Sequence, residues 1–286
     1  MKILSLFKKI LNCFKKTDFT TVKVTALPQN KLLEGRCALI TGGTSGIGFS
    51  IASAYLNAGA TVVITGRKQD RINSALKKLA NKEKAFGCVL DNTNVPSFKT
   101  VFDDLVLLLN NKGIDQIDVL VNNAGVNCCG MPNATEEDYD KVLDTNLKGV
   151  FFLSQMFGKY LVENNIQGNI LNIASASSLR PADSAYTVAK WGIRGLTLGL
   201  AKSLSKNGIT VNGIAPGPTA TPMMIKEGQT NMKIERLPLG RYIMPEEISN
   251  MAVVLVSDMG RSIMGDIVYM TGGAGILTYD DVNYSF

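Results

Sequence analysis

The feature that most limits what this chain can fold into is a regular alternation of short apolar runs with helix-length amphipathic stretches. Runs at Arg36–Thr41, Thr61–Thr65, Lys84–Leu90, Ile117–Val121, Asn169–Ile173, Ile209–Ile214 and Asp266–Met270 read as strands. Between them, Ile47–Ala58, Arg71–Asn81, Ser97–Asn111, Thr135–Asn164, Ser184–Ser205 and Pro245–Val256 read as helices. The fourth helix opens on Glu136, Glu137 and Asp138, and the last on a proline. Strands joined through helices of this length form right-handed βαβ units, so the sheet is parallel and covered on both faces. No repeat or low-complexity linker interrupts residues 33–286. The expected fold class is therefore α/β, a doubly wound parallel sheet in one domain, preceded by an extension over residues 1–32.

Chemistry is narrowed first by what the chain lacks. It has no histidine. Ser-His-Asp and Cys-His nucleophile systems, HExxH zinc sites and imidazole acid/base catalysis are thereby excluded. Proton transfer near neutral pH falls to Tyr, Lys, Cys or a shifted carboxylate. The net charge of +6 is concentrated in residues 1–16, which hold Lys2, Lys8, Lys9, Lys15 and Lys16 and no acid. The remainder carries 25 basic against 24 acidic residues, too even a balance for a nucleic-acid footprint. Five cysteines without CxxC spacing fit a reducing cytoplasm and give no support to a zinc site. No apolar run is long enough to span a bilayer.

Three local patterns carry ligand chemistry. After the first strand comes Thr41-Gly42-Gly43-Thr44-Ser45-Gly46-Ile47-Gly48. Glycines 42, 46 and 48 allow a tight turn and close backbone approach where a helix N-terminus attracts pyrophosphate. The second strand ends in Gly66-Arg67-Lys68, where an acid would select the ribose hydroxyl of NAD. Two cations there favour the 2′-phosphate of NADP, with NAD as the alternative. Tyr186 and Lys190 stand at i and i+4 on one helix face, behind Ala174-Ser175-Ala176-Ser177-Ser178. A nearby ammonium favours phenolate and lowers a tyrosine pKa from its usual value of about 10.

Taken in order, TGGTSGIG, Asn122-Asn123-Ala124-Gly125 and Tyr186…Lys190 resemble the classical short-chain dehydrogenase/reductase family over residues 33–275. Within it, the chain is similar to the 3-oxoacyl carrier-protein reductase-like members. The resemblance implies a Rossmann-like sheet of seven strands, a nicotinamide cofactor and carbonyl/alcohol interconversion by hydride transfer. It maps the catalytic set onto Asn146, Ser175, Tyr186 and Lys190. Tyr186 would be the acid/base, Ser175 would bond the reacting oxygen, and Lys190 would grip the ribose. Asn146 would hold a water that relays protons. The interval from Ser175 to Tyr186 is short for the family, which leaves Ser177 as the alternative serine. The cofactor set is Gly42, Thr44, Ser45, Gly46, Ile47, Gly48, Arg67, Asp91, Asn92, Asn123, Ala124, Gly125, Tyr186, Lys190, Pro216, Gly217, Thr219 and Thr221. Ser45 stands where many NADP-dependent members carry Arg or Lys, and Thr271-Gly272-Gly273 where the family often has Asp-Gly-Gly. Homodimers or homotetramers through residues 145–164 and 184–205 are implied as well.

Other readings of the same residues are a silent cofactor-binding sensor or scaffold, and a non-redox lyase or epimerase. Intact Tyr186 and Lys190 argue against the first, and the glycine loop against the second. Thr219–Leu239, with Met223, Met224, Ile225, Met232 and Ile234, reads either as a lid over the pocket or as core. Cys128 and Cys129 read as small buried hydrophobes. Residues 1–16 place Ile3, Leu4, Leu6, Phe7, Ile10, Leu11 and Phe14 on one arc and the lysines on the other. That is a basic amphipathic helix, suited to a peripheral membrane contact or to packing on a domain or subunit.

Overall fold

Every residue of the first, fourth, fifth and sixth strands is buried, as a sheet covered on both faces requires. The computed structural model describes residue 21, residues 31–226 and residues 228–277. The amphipathic helix expected at residues 1–16 lies outside the described residues. In chain order the elements are β1 (Cys37–Ile40), α1 (Gly46–Asn57), β2 (Thr61–Gly66), α2 (Gln69–Lys78), β3 (Ala85–Val89), α3 (Phe98–Asn110) and β4 (Val119–Asn122). There follow α4 (Glu136–Leu143), α5 (Gly149–Glu163), β5 (Asn169–Ile173), α6 (Ala185–Leu204), β6 (Thr210–Pro216), α7 (Pro245–Val256) and β7 (Ile267–Met270).

All seven strands run parallel in the order β3-β2-β1-β4-β5-β6-β7. Side chains alternate between the two faces. Ala38 and Ile40 pack with α1, α2 and α7, while Cys37 and Leu39 pack with α3 and α5. The strand order reverses between β1 and β4, so a crevice opens past their carboxyl ends, the place where ligands bind in such sheets.

The amino ends of the central strands, opposite the crevice, are tied together by charge. Arg36 bonds the Asp118 carboxylate and the Asn169 amide, and donates to the Val256 carbonyl at 2.9 Å. Asp118 also accepts from the Cys37 backbone at 2.8 Å. Burial pushes the Asp118 carboxyl up, and the Arg36 guanidinium opposes that shift.

The helix expected over Thr135–Asn164 is observed from Glu136 to Glu163, with one change of hydrogen-bond pattern inside it. Thr135 caps α4 by accepting from the Asp138 backbone at 3.1 Å, and a wide π-turn at Asp144–Lys148 lies between α4 and α5. The cause is Asn146, whose buried side chain is turned to Val126 instead of solvent. Such turns concentrate at functional sites.

Candidate active site

The crevice is a single cleft of about 1180 Å³ running from the Gly42–Ile47 turn to Tyr186. That exceeds the roughly 300–1,000 Å³ of ordinary small-ligand pockets and leaves room for a dinucleotide and a second molecule.

At the first end, Gly42 sits at φ +64° and Gly46 at φ +56°, both in the left-handed region. A Cβ on Gly48 would lie 2.3 Å from the Asn123 amide nitrogen, so helix α1 starts against the β4 loop. That loop is tied down by Thr41, whose hydroxyl accepts from the backbones of Asn123 and Ala124 at 3.0 Å each. The Asn123 amide returns bonds to the carbonyls of Thr41 and Gly42 at 2.9 and 3.1 Å. Helix α1 begins at Ser45 with no side-chain cap and no acid in its first turn, leaving its N–H groups for an anion. Thr221 closes over Gly46 from the far wall, and Thr219 bonds the Gly217 carbonyl at 2.9 Å.

Residues present fit a nicotinamide dinucleotide on two independent observations. The Asn92 amide nitrogen is buried and has no hydrogen-bond partner among the described residues, at the position expected beside the adenine. Such a group is costly unless something bonds it. Gly66, in turn, puts no acid at the end of β2, and a Cβ there would lie 3.0 Å from the Thr44 methyl, a contact that a small shift relieves. Arg67, Lys68 and Arg71 line the cleft beside it. Arg71 was not among the sequence-derived candidates; its only signal is one helical turn of spacing from Arg67. Asp91 turns back to bond the Thr93 backbone and hydroxyl at 2.9 Å.

At the other end, Ser175 terminates β5 and Tyr186 and Lys190 lie on α6. The Lys190 ammonium donates to the Ile173 carbonyl at 2.7 Å and stands 5.6 Å from the Tyr186 ring centre. Burial pushes it down to about 8. Burial also raises the Tyr186 phenol, opposed by the Ser175 hydroxyl beside it. The expected lowering by Lys190 is thus not the governing influence; desolvation is. Of the two candidate serines, Ser175 is the one whose hydroxyl meets Tyr186, and it also accepts from the Ser177 backbone at 3.1 Å. Asn146 clamps Val126 twice, accepting from its N–H and donating to its C=O, each at 2.8 Å. These bonds use one of its two N–H donors and one of the two lone pairs on its oxygen.

The family model described as short chain dehydrogenase matches residues 36–232, well over half of the chain. The chain belongs to the short-chain dehydrogenase/reductase family. Relatives agree across nearly their whole length. A 3-oxoacyl-[acyl-carrier-protein] reductase FabG of Thermotoga maritima is 34% identical over 247 residues, spanning 84% of this chain and 98% of that one. A 3alpha-hydroxysteroid dehydrogenase of Mediterraneibacter gnavus is 33% identical over 249 residues, 85% of this chain and 98% of the relative. Among solved structures, a short chain dehydrogenase of Bacillus anthracis superposes with TM-score 0.77 at 31% identity, covering 87% of this chain and 100% of that one. An actinorhodin polyketide ketoreductase solved with NADPH gives 0.75 at 31%, covering 84% and 97%. This short-chain dehydrogenase/reductase is thus an oxidoreductase of the carbonyl/alcohol type.

One substrate-side reading is corrected and another divides between residues. Cys129 is exposed and Cys128 half-buried, because the loop after Gly125 runs along the cleft rim instead of through the core. Among its described residues the segment 219–243 contains no α-helix, and it is held by short bridges, Thr219 to Ile243 and Lys233 to Arg241. Met223 and Met224 line the cleft and are exposed, while Met232 is buried. The core reading thus holds for Met232, and Met223 and Met224 stand at the cleft.

Proposed function

We propose that this enzyme is an NADP-dependent reductase/dehydrogenase that interconverts a carbonyl and a secondary alcohol with Tyr186 as the acid/base. The observation that carries the reading is the meeting of Tyr186, Ser175 and Lys190 at one end of a cleft whose other end is the glycine turn. Bound NADPH supplies the hydride. In the direction of reduction, negative charge develops on the substrate oxygen, and Tyr186 gives its proton there. No imidazole competes for that role in this chain. Ser175 donates a hydrogen bond to the same oxygen, where charge grows. Lys190 keeps a positive charge behind the phenol and favours its ionised form. Asn146 acts by holding Val126, and with it the cleft wall, in place.

Selection of NADP rests on Gly66 and on Arg67, Lys68 and Arg71, none of which has an ion-pair partner among the described residues. Guanidinium groups suit the 2′-phosphate, and there is no acid at Gly66 to repel it. The test is calorimetric titration with NADPH and NADH separately, followed by loss of nicotinamide absorbance with a panel of carbonyl compounds. NADPH is expected to bind tighter, and Gly66→Asp to shift preference toward NADH by repelling the phosphate. Equal or tighter binding of NADH by the unaltered protein would refute the assignment.

A further inference from the structure

The chain has eight arginines, all among the described residues. Four of them are engaged. Arg36 bonds Asp118, Arg241 forms a two-pronged pair with Glu247 at 2.8 and 2.9 Å, Arg194 reaches the Ser178 carbonyl and stacks on Trp191, and Arg261 reaches Gln167. The side chains of the other four, Arg67, Arg71, Arg180 and Arg236, have no hydrogen-bond or ion-pair partner among the described residues. All four line the cleft.

They divide into two pairs. Arg67 and Arg71 flank the end of β2, where the cofactor phosphate is proposed to bind. Arg180 comes from the loop between Ser175 and Tyr186, beside the reacting groups, and Arg236 from the cleft-lining segment after Pro216. Arg180 is not loosely hung. Its carbonyl accepts from the Trp191 indole at 2.8 Å and its N–H donates to the Ser177 carbonyl at 3.2 Å. The acid at this end, Asp183, pairs with neither arginine among the described residues. Lys190 cannot take their place, since it is only 5% exposed and bonded to Ile173. A guanidinium is always charged, and its fork matches the oxygens of a carboxylate or phosphate.

We propose that the substrate carries a carboxylate or phosphate group away from its reacting carbonyl, and that Arg180 and Arg236 bind that oxyanion. The inference rests on the oxidoreductase reading for the presence of a carbonyl substrate.

The experiment uses the full-length protein loaded with NADP⁺, to which ketones bind without being reduced. Two matched pairs are titrated by calorimetry: levulinate against methyl levulinate, and dihydroxyacetone phosphate against dihydroxyacetone. In at least one pair the anion is expected to bind about tenfold tighter or more, as a charge-assisted bidentate contact should. Arg180→Gln and Arg236→Gln are each expected to reduce that preference, with NADP⁺ affinity measured alongside as the control for folding. Whichever pair shows the preference identifies the group. Equal affinity within both pairs, no binding of either anion, or a preference retained in both variants overturns the proposal. Failure of the oxidoreductase reading registers elsewhere, as absence of NADPH oxidation with any carbonyl compound, so the two failures are distinguishable.

Discussion

Tyr186 and Lys190 make opposite demands on the protein, and both can be measured. A phenol donates one proton to the developing alkoxide, so Tyr186→Phe should lower kcat by roughly 10²–10⁴-fold. NADPH affinity should change little, because only a hydroxyl is removed from a half-buried ring. A variant that retained turnover within about threefold would take Tyr186 out of the acid/base role, since that loss is far below what general acid catalysis supplies. Lys190 carries a cost in the cofactor-free protein. Its ammonium is held down to about 8 from an ordinary 10.5, so the folded chain binds fewer protons than the unfolded one between those values. Stability contributed by this group should therefore rise as pH climbs from about 8 to 10.5, the penalty being fully present below 8. Lys190→Met should abolish activity yet make the cofactor-free protein more stable at pH 7 by about 2 kcal/mol, after allowing for the lost bond to Ile173. Thermal melts at pH 7 and pH 10 check this, with the variant's advantage shrinking at the higher pH. An advantage that is absent, or the same at both values, would show that burial of the ammonium is not costly.

At the scale of elements, the amino ends of the central strands, opposite the cleft, are organised by one ion pair. Arg36→Met leaves the Asp118 carboxylate buried without its counterion, a loss of about 3–5 kcal/mol. For a domain of this size that lowers Tm by roughly 10 °C. Adding Asp118→Asn should restore part of it, because a neutral amide oxygen can still accept from Cys37. A double variant no more stable than Arg36→Met in a calorimetric melt would assign the loss to the Val256 and Asn169 bonds instead. The elements themselves were legible in the sequence to within a few residues, since a doubly buried strand such as Thr61–Gly66 is a short β-branched run around Val62, Val63 and Ile64 and the helices are periodic. The π-turn was not, because its cause is a contact between Asn146 and a backbone distant in sequence. The same limit hid Thr41, whose hydroxyl joins β1 to β4, and Arg71, Arg180 and Arg236, which only the fold brings to the cleft. Short motifs carry their signal locally; walls of a pocket do not.

For the whole molecule, one apolar surface among the described residues lies on the outward faces of α5 and α6. Phe151, Phe152 and Val162 on α5, and Val188, Trp191 and Leu198 on α6, are all exposed, Leu198 by 54%. Single exposed apolar residues are ordinary, but a set of this size on two adjacent helices is the mark of a contact surface. Ile193, in contrast, turns inward to the core with Ala174 and Ala215, so only part of the apolar character of α6 is available for such a contact. We expect the chain to form a homodimer or homotetramer through these faces, with self-complementary contacts about a two-fold axis. Trp191 also holds the Arg180 carbonyl, so the same contact would steady the loop that carries Ser175. Light scattering at micromolar concentration should return a mass of two or four chains, and Phe151→Glu together with Leu198→Glu should return one, because both sites would bury an unpaired charge. A monomeric mass for the unaltered chain, or an unchanged assembly in the double variant with its fold intact by circular dichroism, would remove α5 and α6 from the interface.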